Sequence, residues 1–141
     1  MRHINEVIIH CTATPTGQHV TIGDINNWHN ARGFGNCGYH YVIDYDGKVL
    51  NGRPEDEQGA HCQGHNARSI GIAYIGGMDA KTRMPKDTRT KLQKQALRAL
   101  IVSICARHDI LRICGHNLYT KKSCPCFDAF EEYFELLPEN R

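Results

Sequence analysis

EVIIHC, residues 6–11, is the stretch from which the fold is read: a β-branched apolar run that ends on His10 and Cys11 and is stopped at once by TATPTG, residues 12–17. A short continuous apolar run bounded by turn-forming residues reads as a buried strand running into a loop. His10 then stands at the end of a strand, where a polar side chain is carried to the rim of a sheet.

Working outward, Thr21 followed by Asp24 resembles a helix N-cap with an acid in the first turn. Ile22, Ile25 and Trp28 continue at helical spacing up to Gly33, which predicts an amphipathic helix over residues 22–32. YHYVIDYDGKVLNG, residues 39–52, alternates aromatic and β-branched residues around Asp46-Gly47 and predicts a hairpin. Residues 53–68, rich in Gly, His and Asn, read as a long polar loop of the kind that binds ligands. IGIAYIGG, residues 70–77, reads as a strand. From Asp87 or Thr88 to near His108, Leu92, Ala96, Leu97, Leu100, Ile101, Ile104 and Cys105 trace one face of a long helix. ILRIC, residues 110–114, is a strand leading into Gly115 and His116, and a last helix is expected from Phe127 or Asp128 to about Leu137, before Pro138. Strands and helices alternate without a repeat or linker. The expected architecture is an α/β fold, one domain over residues 1–141, with a mixed central sheet flanked by about three helices.

Composition narrows the function. A chain of 141 residues can bury one sizeable core. The net charge is only +2, and the lysine- and arginine-rich run at residues 81–94 reads as a solvated loop and helix face, so no nucleic-acid partner is expected. No apolar run approaches a membrane span, and MRHINEVIIHC lacks the apolar core of a secretory signal; a cytoplasmic protein as synthesised, without a membrane partner, is expected. Neither a Walker motif nor a GxSxG elbow occurs. Seven cysteines and nine histidines without a secretory signal favour metal ligation or buried thiols over a disulfide framework.

His10 and His116 each end a predicted strand, and Cys124 lies on the loop before the last helix. If the two strands are neighbours, both imidazoles reach one sheet edge and the loop returns the thiolate to them. Two histidines and a cysteine suit Zn²⁺ and leave its fourth tetrahedral position to water. Lys122 can reach the mouth of such a site to stabilise an oxyanion, and Tyr39 offers a hydroxyl to hold water or relay its proton. By spacing alone, with the histidines 106 residues apart, ordinary polar and core roles are the favoured reading and the zinc triad the rarer one.

The order IIHCTATP, RGFGNCGYHYVIDYDGKV, GAHCQGHNARSIGIAYIGG and GHNLYTKKSCPCFD closely resembles the zinc-dependent N-acetylmuramoyl-L-alanine amidases of the phage-lysozyme and peptidoglycan-recognition-protein superfamily, from about residue 6 to 130. The resemblance implies one zinc ion held by His10, His116 and Cys124, with Tyr39 and Lys122 assisting catalysis. It implies hydrolysis of the amide between the lactyl group of N-acetylmuramic acid and L-alanine of the stem peptide; the missing secretory signal fits equally a bacteriolytic endolysin that reaches the wall after release, an effector exported without a signal, or a cytosolic enzyme that recycles wall fragments. It implies that His61, His65, Asn66 and Ser69, with Trp28 and Arg32, line a groove for peptidoglycan or muropeptides. A monomer is expected. The chain departs from the family's frequent C-P-G or C-P-S at Cys124-Pro125-Cys126, where one intervening proline makes joint ligation by both thiols strained. Members that only bind the wall typically lack the ligand cysteine, so the alternative, a non-catalytic recognition or protein-binding module, is less favoured here. His3, His19, His29, His40 and His108 read as surface or packing residues, and Cys11, Cys105 and Cys114 as core thiols.

Overall fold

In the computed structural model, which describes residues 2–140, the EVIIHC stretch is the strand β1 (Glu6–Cys11) near the middle of a five-stranded sheet. In chain order there follow β2 (Thr14–Pro15), α1 (Ile22–Ala31), β3 (Tyr41–Ile43), β4 (Val49–Asn51), β5 (Ser69–Tyr74), β6 (Gly77–Met78), α2 (Lys91–Arg107), β7 (Arg112–Gly115) and α3 (Ala129–Tyr133). The sheet order is β4-β3-β5-β1-β7; only β4 runs antiparallel, as the return strand of the hairpin. The mixed α/β architecture with three α-helices is thus as expected from the alternation of elements.

β1 is buried on both faces, and its alternation sorts the interior. Val7, Ile9 and Cys11 join Ile43, Ile70, Ile72, Leu97, Ile101, Ile104 and Tyr133 in the main core beneath α2 and α3. Ile8 faces the other way, with Cys62 and Cys114, and His10 shares its face. Each fully buried aliphatic of this kind contributes roughly 1.5–3 kcal/mol.

Local signals explain the element ends. Thr21 and Asp24 form a reciprocal capping box on α1, and the helix ends at Arg32, followed by Gly33 at φ +79°. The segment Gly33–Gly38 spells G-x-G-x-x-G, but it connects a helix to a strand, so no helix N-terminus stands behind it to receive a pyrophosphate. Asp44 and Lys48 close the hairpin around Gly47, which takes φ +86°.

The expected helix from Asp87 or Thr88 starts only at Lys91. Thr90 and Gln93 make the capping box there, while Asp87 is drawn off to pair with the buried Arg89. The buried stripe is Gln93, Leu97, Ile101, Ile104 and Cys105, and Leu92 is exposed. Gln93 takes the inner position because its carboxamide donates to the carbonyls of Ile43 and Ile75 at the ends of β3 and β5 and accepts from Thr90 N–H. The last helix is shorter than expected: α3 ends at Tyr133 and tightens into a 3-10 turn over Phe134–Leu136. β2 and β6, a two-stranded parallel pair, are too short to carry a sequence signal. No helix among the described residues is long and apolar enough to cross a membrane.

Candidate active site

β1 pairs in parallel with β7, with Ile9 opposite Gly115, so His10 and His116 leave adjoining strands side by side. Their ring centroids are 4.6 Å apart. The chain turns through a 3-10 helix over His116–Leu118 and comes back along the loop bearing Cys124, whose sulfur accepts the Cys11 N–H at 3.1 Å. A buried hydrogen bond from the Tyr74 hydroxyl to the Pro125 carbonyl, 2.7 Å, pins that return. One ligand atom from each of His10, His116 and Cys124 then lies within 4.8 Å of the others. The structure therefore holds a compact His, His, Cys cluster at the carboxyl ends of parallel strands, with His10 buried and the other two partly exposed.

The electrostatics favour the ligating forms. Burial, followed by the neighbouring His61, His116 and His29, pushes His10 well below its usual value, and burial followed by the Lys122 charge lowers His116. Both rings are thus neutral and able to offer a lone pair. A hydrogen bond from the Cys11 thiol, against the effect of burial, draws Cys124 down; the Cys11 N–H and Lys122 act in the same sense. Cys11 itself is pushed up to about 12, first by that same bond with Cys124. The cluster thus contains one thiol biased towards thiolate, with a protonated thiol beside it. Two imidazole nitrogens and one thiolate are a donor set that would fit zinc, with His10, His116 and Cys124 as the residues that would hold it.

Tyr39 lies two residues before β3 rather than on it, with its ring 5.1 Å from that of His10 and 5.1 Å from that of His29. Burial, followed by the Cys124 and Cys11 sulfurs, pushes its hydroxyl far up, so it keeps its proton. Trp28 and Arg32 share a small cleft with Tyr39, Thr12, Ile25 and His29. Trp28 is 38% exposed, which places it at the rim and not in the core that its helical spacing also allowed. Lys122 is exposed and lines a cleft of about 640 Å³ with Gly115, Ser123, Cys126 and Phe127, near enough for its charge to act on His116 and Cys124.

The remaining candidates build the wall of the site. His61 is buried, with Nδ1 2.9 Å from His10 Nε2 and Nε2 3.1 Å from Ser69 Oγ. Burial, followed by the neighbouring His40 and His116, lowers it to about 3. Ser69 is fully buried and donates to the His65 carbonyl at 2.7 Å. Asn66 Oδ1 accepts the N–H groups of His61 and Cys62, both at 2.9 Å, and the His65 ring stacks on Tyr119 at 3.6 Å. These bonds commit Ser69, His61 Nε2 and the Asn66 oxygen to the loop and its junction with β5 and His61 Nδ1 to His10, while the half-buried His65 ring keeps one face off Tyr119. Among the residues read as packing histidines, His29 accepts the Gly38 N–H, His40 bridges Gly71 N–H and the Glu57 carbonyl, and His108 bonds Glu55.

Cys126 stands outside the cluster, its thiol directed to the Gly77 carbonyl at 3.4 Å, and none of the seven cysteines is disulfide-bonded. Two contacts escaped the sequence reading: His61 against His10, and the Cys11 thiol against Cys124. Only the approach of His61 to the sheet leaves a signal, because Gly71 interrupts an otherwise apolar buried strand and glycine there marks a close approach. A Cβ at Gly71 would sit 2.6 Å from the His61 ring.

The family described as N-acetylmuramoyl-L-alanine amidase matches residues 1–127. Among relatives, the endolysin of Escherichia phage T7 is 37% identical over 137 residues, covering 96% of this chain and 90% of its own. The endolysin of Klebsiella phage KP32 is 36% identical over 124 residues, covering 88% and 82%. Among solved structures, the amidase LysC from Clostridium intestinale superposes with a TM-score of 0.80 at 28% identity, covering 95% of this chain and 84% of that one. Drosophila PGRP-LB, solved as a point mutant in complex with tracheal cytotoxin, superposes with a TM-score of 0.75 at 26% identity, covering 94% and 81%. A match that runs through all the strands and returns to the loop of Cys124 accounts for fold and cluster together: the chain belongs to the N-acetylmuramoyl-L-alanine amidase family.

Proposed function

We propose that this amidase is a zinc enzyme that cleaves peptidoglycan between the lactyl group of N-acetylmuramic acid and L-alanine of the stem peptide, using His10, His116 and Cys124 as ligands. The observation that carries the reading is the convergence of two neutral imidazoles and one acidified thiol at the ends of β1, β7 and the returning loop. When bound, zinc supplies a Lewis acid that acidifies water and polarises a carbonyl.

The chain's own groups divide the remaining work. Tyr39, protonated and close to His10, donates a hydrogen bond to the attacking water or the scissile carbonyl and orients it. Lys122 brings a positive charge to the exposed side, where it stabilises the oxygen that becomes negative as the amide is attacked. Trp28 and Arg32, on the rim beside Tyr39, contact the glycopeptide, and the half-buried His65 ring borders it from the loop. The relatives named endolysin support a role in lysing the wall, with wall glycopeptide as the partner.

Replacing His116 or Cys124 with alanine is expected to remove bound zinc and abolish lysis of purified walls while the protein stays folded. Metal analysis and turbidity clearing on the same preparations check this. Full clearing by a metal-free variant would refute the ligand assignment.

A further inference from the structure

The directions of three hydrogen bonds behind the cluster can be read from chemistry alone. A carbonyl only accepts, so the Ser69 hydroxyl gives its single proton to the His65 carbonyl, 2.7 Å away. Ser69 Oγ then meets His61 Nε2, at 3.1 Å, as an acceptor, which puts the proton of the neutral His61 ring on Nε2 and leaves Nδ1 bare. That bare Nδ1 lies 2.9 Å from His10 Nε2, so His10 carries its proton on Nε2. The one lone pair left on His10 is at Nδ1.

The surroundings hold this chain of bonds in place. Gly71 and Gly59 have no side chain where the His61 ring lies: a Cβ would meet it at 2.6 Å and 2.7 Å. Asn66 fixes the His61 backbone by accepting its N–H at 2.9 Å. His61 is 8% exposed and its ring is used at both nitrogens, so it has none to offer a glycopeptide.

We propose that His61 is a positioning residue: with Ser69 and the His65 carbonyl it sets the tautomer and ring orientation of His10, making Nδ1 the ligating atom. This deepens the zinc reading above and rests on it. Hydrogen-bond partners behind a ligating imidazole typically change metal affinity by about 10–100-fold when removed.

Two measurements test it. In the wild-type apoprotein, nitrogen-15 NMR of the His10 ring is expected to show the proton on Nε2. In chelator competition, H61F, which fills the space but cannot accept from His10, is expected to bind zinc about 10–100-fold more weakly. H61N, whose carboxamide oxygen can take the place of Nδ1, is expected to recover most of that loss, which simple packing would not produce. A His10 proton on Nδ1, or equal zinc affinities for H61F and wild type, would overturn the proposal. The two readings fail separately: wild-type protein that takes up no zinc yet shows Nε2–H on His10 sinks the ligand set and keeps the relay. Stoichiometric zinc with the proton on Nδ1 sinks the relay and keeps the ligand set. The NMR measurement needs no variant, so a misfolded H61F would still leave the relay decided.

Discussion

At the scale of the residue, the two cysteines either side of Pro125 show how position outweighs chemistry. Cys124 faces the histidines, while Cys126 sits at φ +72°, a left-handed conformation that glycine adopts freely and other residues hold at about 1–3 kcal/mol. C126G should keep full zinc content and activity and change stability by no more than about 1 kcal/mol, because relief of backbone strain offsets the lost thiol packing. Metal analysis beside urea denaturation checks this; loss of zinc in C126G would return Cys126 to the ligand set. His10, His116 and Cys124 were legible because two sit at strand ends and the third lies in a recognisable loop motif. His61 was legible only as a loop histidine, since nothing local records that its partner is His10, 51 positions away. Ser69 and Asn66 were read as groove residues for the same reason: their polarity was visible, but not that the loop's own backbone would use it.

At the scale of the element, α2 shows where periodicity misleads. The apolar stripe suggested Leu92 as the first inward residue, yet Gln93 is the fully buried one. An apolar side chain there would leave the Ile75 carbonyl and the Thr90 N–H unpaired and the Ile43 carbonyl with the Ile75 N–H alone, whereas Gln93 bonds all three. Q93L should therefore destabilise the fold by about 2–4 kcal/mol despite its better hydrophobic pattern, read as a lowered urea midpoint with unchanged slope. A neutral or stabilising effect would show that water or a shift of the helix replaces those bonds. β1 was legible to the residue, β5 at its start but three residues short of its expected end at Gly77, and the caps of α1 were legible too. The start of α2 was not, because Asp87 serves the buried Arg89 and never caps a helix. The length of α3 was missed because its apolar residues continue at helical spacing after the backbone has tightened.

At the scale of the whole molecule, a parallel sheet places the rim of β1 and β7 where one face packs under α2 and α3 and the other supports the loop of His61. Burying histidines there has a thermodynamic consequence. His61 is lowered from 6.5 to about 3, so as pH falls below about 6.5 the unfolded chain takes up a proton that the folded apoprotein refuses. The stability associated with neutral His61 is fully present above that value and declines until pH reaches about 3. At pH 5 the loss is about 2 kcal/mol from this histidine alone. Urea titrations of the apoprotein at pH 7 and about 5 should show it, and H61N should lose less between the same two points.

The central claim is that this chain cuts the bond between sugar and stem peptide. Mass spectrometry of purified peptidoglycan, digested with the zinc-loaded protein, tests it most directly. Amidase cleavage is expected to release intact stem peptides with a free L-alanine amino terminus, and glycan strands whose lactyl groups end in a carboxylate. Products in which the stem peptides remain joined to muramic acid, whether the wall is cut elsewhere or not at all, would contradict it.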